Sequence, residues 1–496
     1  MATLEILSNE LFLEIFDYLS PTEIFSTFHN LNSRIDRLLS LQSIRIDLKT
    51  VEKPDFMDYC EHFIPTCYDR IKYLQLCNNH KENFISLFCQ LFPNMDKFST
   101  LHTLILIKPT VDKLLHLLPQ LSTLIRLVII GKQENKQENE ICSLIFNDKM
   151  LSLKSCTLSF FNQLHMDGIC VSNIEYLKIS MLKLETMFHL FHYIPNIKTL
   201  NVTISTYDET SVPSPSGYQK LAMLVQNLTN LTLEVSHFST FEPIELLLKN
   251  LVQLQRLSYI CSDAIGLEHI DSERWKSILV RLYILKKFHL SIKTHIATTF
   301  ENILASFQTN VFIHRQWYFA FDEDALSNVI HFYTIPYFSS KYSLKMTTIA
   351  ARNAHCYTNV KYLVIRLNNS TFLSPPIRFP NVGSLQLFGS CDCSPSVIIN
   401  YLDIALDYSK LKHFEFYTKI SEDLFLHILR HSSNLYSLKT KYSILSKITN
   451  DFTHDEMCSY LKKNIKKCVL VKTTHTKISD LCSHVISNEI IEFLSN

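Results

Sequence analysis

Apolar residues near the N-terminus recur with the period of an α-helix. Their spacing of four residues, with a second row beside the first, predicts one apolar face slightly wider than a narrow seam. Ser8 suits the N-cap of this helix, and Glu10 suits its first turn, where the helix dipole favours a carboxylate. The apolar positions are Leu7, Leu11, Phe12, Ile15, Phe16 and Leu19.

Two further short helices follow from the same kind of pattern. Ser20-Pro21-Thr22-Glu23 forms a capping box with proline at the first helical position, and it predicts the start of a second helix. Asn30 or Asn32 suits the N-cap of a third helix. Three short helices make too small a core to bury all of their apolar surface, so part of it should face a partner or the rest of the chain. The apolar positions of these two helices are Ile24, Phe25, Phe28, Leu31, Ile35, Leu38 and Leu39.

A strand–helix unit recurs through the rest of the chain. Each unit opens with an apolar pair three residues apart and a short alternating stretch, which predicts a strand, and an amphipathic helix follows it. The starts lie about 21 to 31 residues apart, the period of leucine-rich repeats. The clearest alternating stretches are 44–48, 71–76, 101–106, 124–129, 153–158, 174–179, 197–202, 228–233, 254–259, 285–290, 360–365, 382–387, 411–416 and 435–438. We therefore predict an α/β solenoid, in which stacked neighbours share one core.

The repeat pattern becomes unclear between about residues 311 and 350. Residues 317–324 are aromatic and then acidic, ending in Asp322-Glu323-Asp324. Two interpretations are open for this segment. It is either a core strand that ends in an acidic turn, which we favour, or a partner-binding patch.

Composition limits the classes of function. The chain has 496 residues, 47% of them hydrophobic and 19% charged, and a formal net charge of +1, which argues against a nucleic-acid surface. No signal peptide and no membrane-length apolar run stands out, so we expect no membrane partner and a cytoplasmic or nuclear location. The 14 cysteines lie mostly inside apolar runs, as buried free thiols do.

No catalytic constellation emerges from the residues. The chain has six glycines and no G-x-G-x-x-G or Walker run for a phosphate group. Cys391-Asp392-Cys393 lacks the second ligand pair of a zinc site, and His189 and His192 lack an H-E-x-x-H frame. We therefore expect neither an enzyme nor a cofactor or metal site.

The N-terminal stretch resembles the F-box family, in which Leu-Pro-x-Glu-Leu, an apolar helix ending in Tyr-Leu, and Ser/Asp-Pro-x-Asp/Glu-Leu follow in order. Ser8 stands where the family usually has proline, and Ile35 where it often has tryptophan. The matching segments are Leu7-Ser8-Asn9-Glu10-Leu11, Ile15-Phe16-Asp17-Tyr18-Leu19, Ser20-Pro21-Thr22-Glu23-Ile24 and Leu31-Asn32-Ser33-Arg34. The downstream units resemble divergent leucine-rich repeats.

The resemblance implies an α/β architecture in which a small helical F-box (1–48) precedes a right-handed, horseshoe-like leucine-rich-repeat solenoid (49–450) and a C-terminal cap (451–496). It also implies the substrate-recognition subunit of an SCF-type (cullin–RING) ubiquitin ligase, with an unknown protein target. A repeat scaffold with a helical N-terminal cap and no ligase is the alternative. The positions implied to contact a Skp-family adaptor, and through it cullin, are Leu7, Ser8, Leu11, Ile15, Phe16, Leu19, Pro21 and Ile24.

Overall fold

The computed structural model divides into two compact units. The first unit holds the described residues up to position 236 together with Glu242–Ser258 and Arg281–Lys287, and the second holds residues 240–241, Tyr259–Val280 and the described residues from Phe288 onward. The structure describes residues 7–19, 21–28, 31–41, 43–49, 51, 53–78, 83–131, 138–146, 150–159, 170–206, 215–236, 240–295, 300–324, 329–345, 348–349, 354–367, 377–389 and 394–471.

Three short helices open the first unit, as the apolar pattern predicts. They are α1 (Asn9–Asp17), α2 (Pro21–Phe28) and α3 (Ser33–Leu41). The helix α2 begins at Pro21, where a missing N–H costs no helical hydrogen bond. The side chain of Asn32 accepts a hydrogen bond from the Ile35 N–H at 2.9 Å, so Asn32 fulfils its predicted role at the start of α3. The helices enclose a hydrophobic cluster of their own.

A parallel sheet follows the helices in the first unit. Its strands pair with their neighbours in sequence order, and one buried position on each strand lies beside the equivalent position on the next, from Leu74 and Leu104 to Leu200 and Leu231. This stacking gives the short strands a shared core. The strands are β1 (Ile44–Asp47), β2 (Ile71–Cys77), β3 (Thr103–Ile107), β4 (Arg126–Ile130), β5 (Ser155–Leu158), β6 (Tyr176–Lys183), β7 (Thr199–Thr206) and β8 (Asn230–Ser236).

Helices alternate with these strands. Their apolar faces are buried, as in α6, where the side chains three residues apart at Val111, Leu114 and Leu117 turn inward. The helices are α4 (Lys53–Asp58), α5 (Phe84–Leu91), α6 (Val111–Leu117), α7 (Glu138–Ile145), α8 (Leu184–Leu190), α9 (Pro215–Leu224) and α10 (Glu242–Asn250). Shorter turns are a π-helix at Tyr59–Phe63 and 3-10 helices at Ile64–Thr66, Tyr68–Arg70 and Leu118–Gln120.

The second unit contains an antiparallel arrangement that the repeat pattern did not predict. The strands that lie wholly or mostly in this unit, before its second sheet, are β9 (Arg256–Ala264), β10 (Lys287–His295), β11 (Tyr318–Asp324), β12 (Val329–Ile335) and β14 (Thr348–Ile349). The strand β12 pairs antiparallel with both β10 and β11, and β14 pairs antiparallel with β11. Five successive residues of β12 are buried, so this strand lacks the alternation by which the other strands are recognised. Residues 318–324 thus form a core strand, as favoured from the sequence, but the acidic residues lie within the strand and not in a turn after it.

A second parallel sheet completes this unit. It comprises β13 (Lys341–Lys345), β15 (Tyr362–Leu367), β16 (Ser384–Gly389), β17 (His413–Phe416), β18 (Ser437–Lys441) and β19 (Lys467–Val471), each paired parallel with the next. The α-helices are α11 (Ser272–Arg281), α12 (Phe300–Ser306), α13 (Asn310–His314), α14 (Pro395–Ala405), α15 (Glu422–His431), α16 (Tyr442–Ile448) and α17 (Asp455–Asn464), with 3-10 turns at Glu268–Ile270, Ala354–Tyr357 and Tyr408–Lys410.

The chain is therefore an α/β protein with long runs of parallel strands and intervening helices. In the division into two compact units, the three N-terminal helices group with β1–β8, and the boundaries 1–48, 49–450 and 451–496 stay a prediction. The repeat also continues past residue 450, since α17 leads into β19, which pairs with β18. The part of the predicted cap beyond residue 471 lies outside the described residues.

Candidate functional site

The helix α1 starts where its polar residues predict. Ser8 is its N-cap, and the Ser8 hydroxyl accepts a hydrogen bond from the Leu11 N–H at 3.4 Å. Glu10 lies in the first turn, where hydrogen bonds from its own backbone N–H and from Ser8 hold the pKa of the carboxyl below its usual value. The start of α1 is thus set by local hydrogen bonds, and these fix the rotation of its apolar face.

Beneath α1 lies an aromatic core. The rings of Phe16 and Phe28 meet edge to face with centroids 5.2 Å apart, and Phe12 lies 6.1 Å from both. Phe16 is 2% exposed and Ile24 is 6% exposed, so both side chains belong to this core. Of the residues implied to contact an adaptor, these two do not lie on the surface. A wide apolar stripe on a helix contains both core and surface positions, and the sequence pattern does not separate them.

Other members of the implied set do form a partly exposed apolar row. Leu11 is 45% exposed, whereas Leu7, Ile15 and Leu19 are half-buried and pack against the edge of the helical core. Leu11 and Ile15, four residues apart, lie on one side of α1, and Leu7 and Leu19 flank the two ends of the helix. Ser8 is exposed beside this row, and Pro21 begins α2, although its side chain lies outside the described residues.

Tyr18 is 89% exposed at the C-terminal end of α1, although it is not among the positions that the resemblance implies for the adaptor contact. Tyr18 follows Leu11 by seven residues and Ile15 by three, so helical geometry places it on the same side as the row. That spacing is the signal that would have identified it. Below, the surface formed by Leu7, Leu11, Ile15, Tyr18 and Leu19 is called the α1 surface.

Arg34, a residue of α3, holds the start of α1 in place through hydrogen bonds. Its Nε donates to the Asn9 side-chain oxygen at 2.9 Å, and its Nη2 donates to the Leu7 carbonyl at 2.7 Å. The guanidinium also lies over the Phe12 ring, 5.8 Å from the centroid. Arg34 therefore ties the start of α1, where the exposed row begins, to the third helix.

The helical segment is also attached to the sheet of the same unit. The helix α2 packs against β1, and Arg70 Nη1 donates to the Leu39 carbonyl of α3 at 2.9 Å. The helices therefore have a core of their own and a fixed contact with the first repeats.

The acidic run at Asp322 is built differently from the predicted turn. It lies in β11, and Asp322 is buried and accepts hydrogen bonds from the hydroxyls of Tyr333 at 3.0 Å, Tyr357 at 2.7 Å and Tyr342. Burial, and then repulsion from Asp322, raises the pKa of Tyr342 well above its usual value, so the hydroxyl stays a donor. The carboxylate is thus a hydrogen-bonded core group.

Within the described residues, no group of three or more His, Cys, Asp or Glu side chains is arranged to hold a metal ion. Cys391-Asp392-Cys393 lies outside those residues. The ring of His192 contacts the His189 carbonyl at 3.3 Å on an exposed helix end. Most of the cysteines in the described ranges are buried free thiols, and burial raises the pKa of Cys261 to about 12. None of the described helices has both the length and the hydropathy that crossing a bilayer requires.

Comparisons with known proteins do not assign a family. No protein-family model matches this chain, and no curated protein matches it. The chain matches solved structures, among them the crystal structure of the TLR13–ssRNA13 complex, with 14% sequence identity and a TM-score of 0.29. That match covers 75% of this chain and 60% of the TLR13 chain, so it spans less than two thirds of TLR13. A likeness at this TM-score carries no inference about fold or ligands.

Proposed function

We propose that this protein is the substrate-recognition subunit of an SCF-type ubiquitin ligase, with the α1 surface docked on a Skp-family adaptor and through it on cullin. The observation that carries the proposal is the apolar row on α1, with Leu11 45% exposed beside half-buried Leu7, Ile15 and Leu19. Apolar side chains aligned on one side of a helix supply the buried area that a docking contact needs.

The helical core supports docking because it makes this surface rigid. The aromatic contacts of Phe12, Phe16 and Phe28 and the two hydrogen bonds of Arg34 hold α1 in place before any partner binds. A preorganised surface loses less conformational entropy on binding than a flexible one. In this proposal, Phe16 and Ile24 do not contact the adaptor. They are buried beneath the α1 surface and support it.

The repeats supply the second half of the proposed function. Side chains on the exposed faces of stacked strands and helices form an extended surface on which a target protein can bind. Holding that target beside a conjugating enzyme raises the effective concentration of its lysines, so this chain contributes by proximity and supplies no catalytic group.

Capture of a Skp-family adaptor by the full chain tests the proposal. Leu11→Asp removes an apolar contact and places a charge in the interface, so the affinity should fall at least about a hundredfold. The matched control is Leu151→Asp, which changes a leucine of the same unit that is 54% exposed and precedes β5, four strands along the sheet from β1. Far-UV circular dichroism verifies that both variants fold.

Capture by the wild-type chain and by the Leu151 variant, with loss in the Leu11 variant, is the expected result. No capture by a folded wild-type chain would overturn the proposal. The packing of α2 on β1 and the Arg70–Leu39 hydrogen bond would then identify the helices as a cap on a repeat scaffold with no ligase role.

A further inference from the structure

The second parallel sheet exposes a polar face. Along β15–β18 the residues at alternate positions are buried in register, as at Leu363, Leu385, Phe414 and Leu438. The intervening positions point to the other side of the sheet. They are Tyr362, Ser384, His413 and Ser437 in one row and Val364, Gln386, Glu415 and Lys439 in the next, where Val364 alone is apolar and buried.

A groove of about 880 Å³ runs across this face, entirely within the second unit. Its lining contains four lysines, and Glu415 is its only carboxylate. The lysines are Lys361, Lys410, Lys412 and Lys439. The groove is therefore basic, although the whole chain has a formal net charge of only +1.

Glu415 is held in place within the groove. It accepts hydrogen bonds from Lys439 Nζ at 3.1 Å, from the Tyr362 hydroxyl at 3.2 Å and from the Tyr417 hydroxyl. Lys410 is also paired with a carboxylate, since its Nζ lies 3.9 Å from Asp407 Oδ2, and it donates to the Pro380 carbonyl at 2.8 Å and to the Asn381 side chain at 2.9 Å. The remaining positive charge of the groove comes from Lys361 and Lys412.

Lys361 and Lys412 are exposed, and neither has a carboxylate partner among the residues that the structure describes. The neighbouring His413 responds to this excess of positive charge. Burial first, and then repulsion from Lys412 and Lys467, lowers its pKa. The positive potential thus extends towards β19, where Lys467 lies beside Ser437 in the register.

We propose that this groove binds an extended acidic segment of a protein partner, with carboxylates placed on Lys361 and Lys412. Charge complementarity attracts and orients such a segment, and the groove crosses four parallel strands. The tyrosine ring of Tyr362 and the lysine stems offer apolar contact between the charges.

The fixed Glu415 favours a peptide over a nucleic acid. A nucleic-acid backbone carries a charge at every nucleotide, so it cannot keep its phosphates away from a carboxylate on the groove floor. A peptide can place an uncharged side chain there. The inference rests on the proposed function for the identity of this partner as a ligase target, but the binding itself needs no adaptor.

Fluorescence anisotropy with the full chain tests the groove. The probe is a labelled peptide of about eight residues with alternating glutamate and alanine, long enough to cross strands ~4.8 Å apart. Exchanging Lys361→Glu and Lys412→Glu together should weaken binding at least about tenfold, because two attractive contacts become repulsive. The matched control exchanges Lys462→Glu and Lys463→Glu, two exposed lysines on α17 of the same unit, and should change binding less than about twofold.

Three results would overturn the inference. They are no binding to the wild-type chain at low salt, equal losses in the groove and control variants, and tighter binding of a single-stranded RNA of the same charge. Measuring both activities on the wild-type chain separates the two proposals. Peptide binding without adaptor capture would defeat only the proposed function, and adaptor capture without peptide binding would defeat only the groove.

Discussion

At the residue scale, His331 has an environment that makes stability depend on pH. The imidazole is buried in the second unit, where its Nε2 lies 2.8 Å from the Ser291 hydroxyl. Burial, and then repulsion from Lys293, lowers its pKa from 6.5 to about 3. Below pH 6.5 the unfolded chain therefore binds a proton that the folded chain does not, and the stability contributed above that pH is lost progressively towards pH 3.

We predict that His331→Gln reduces this acid sensitivity. In the wild type, this residue should lower the free energy of unfolding by up to about 2 kcal/mol between neutral pH and about pH 5. Urea unfolding at both pH values measures the change in the free energy of unfolding between them. A destabilisation by the substitution that is the same at both pH values cancels in this comparison. His192→Gln, on an exposed helix end, is the control. An unchanged pH dependence in the His331 variant would contradict the prediction.

Residue identities predicted the helix ends better than they predicted exposure. Ser8 and Asn32 accept the N-terminal hydrogen bonds that their side chains suit, and these bonds involve residues only three positions away. The division of α1 between core and surface depends instead on where α2 and α3 lie. Phe16 and Leu11 look equivalent in the sequence, whereas one is buried and the other exposed.

At the scale of elements, the close packing of two neighbouring strand ends requires a glycine at position 389. It ends β16 beside Leu367, the last residue of β15, and its φ is +94°. A Cβ at this position would collide with the Leu367 carbonyl oxygen. Gly266 has a similar φ of +89° but has open space around the Cβ position.

Gly389→Ala should therefore destabilise the protein by more than Gly266→Ala. Both substitutions carry the cost of a positive φ, about 1 kcal/mol, and only the first adds a backbone clash, for about 2 kcal/mol or more in total. Thermal or urea unfolding of the two variants compares them directly. Equal losses would mean that the strand ends move apart freely.

The strand–helix alternation was predictable because each parallel strand repeats the same apolar spacing. The antiparallel pairing of β10, β11 and β12 was not, because β12 is buried along five successive residues and carries no alternation to set a face. The buried contacts of Asp322 with tyrosines on β12, β13 and the 3-10 turn before β15 join residues up to 35 positions apart. No local pattern encodes such contacts.

At the scale of the whole molecule, the two proposed binding surfaces belong to different compact units. The α1 surface is part of the first unit and the basic groove is part of the second. The contacts that support each surface also lie within its own unit: Arg34 and the phenylalanine core in one, and the register of β15–β18 in the other. Substitutions that share no partners act additively, so a change at one surface should leave the other intact.

We predict a reciprocal separation of the two activities. Leu11→Asp should abolish adaptor capture and keep peptide affinity within about twofold, whereas the Lys361→Glu and Lys412→Glu pair should do the reverse. Measuring both activities on both variants and on their combination completes a double-mutant cycle. Additive losses would establish two independent surfaces, as a receptor that joins a target to a ligase requires. A loss of both activities in either variant would instead show that the surfaces are coupled, because surface changes that leave the chain folded reach the other site only through a shared rearrangement.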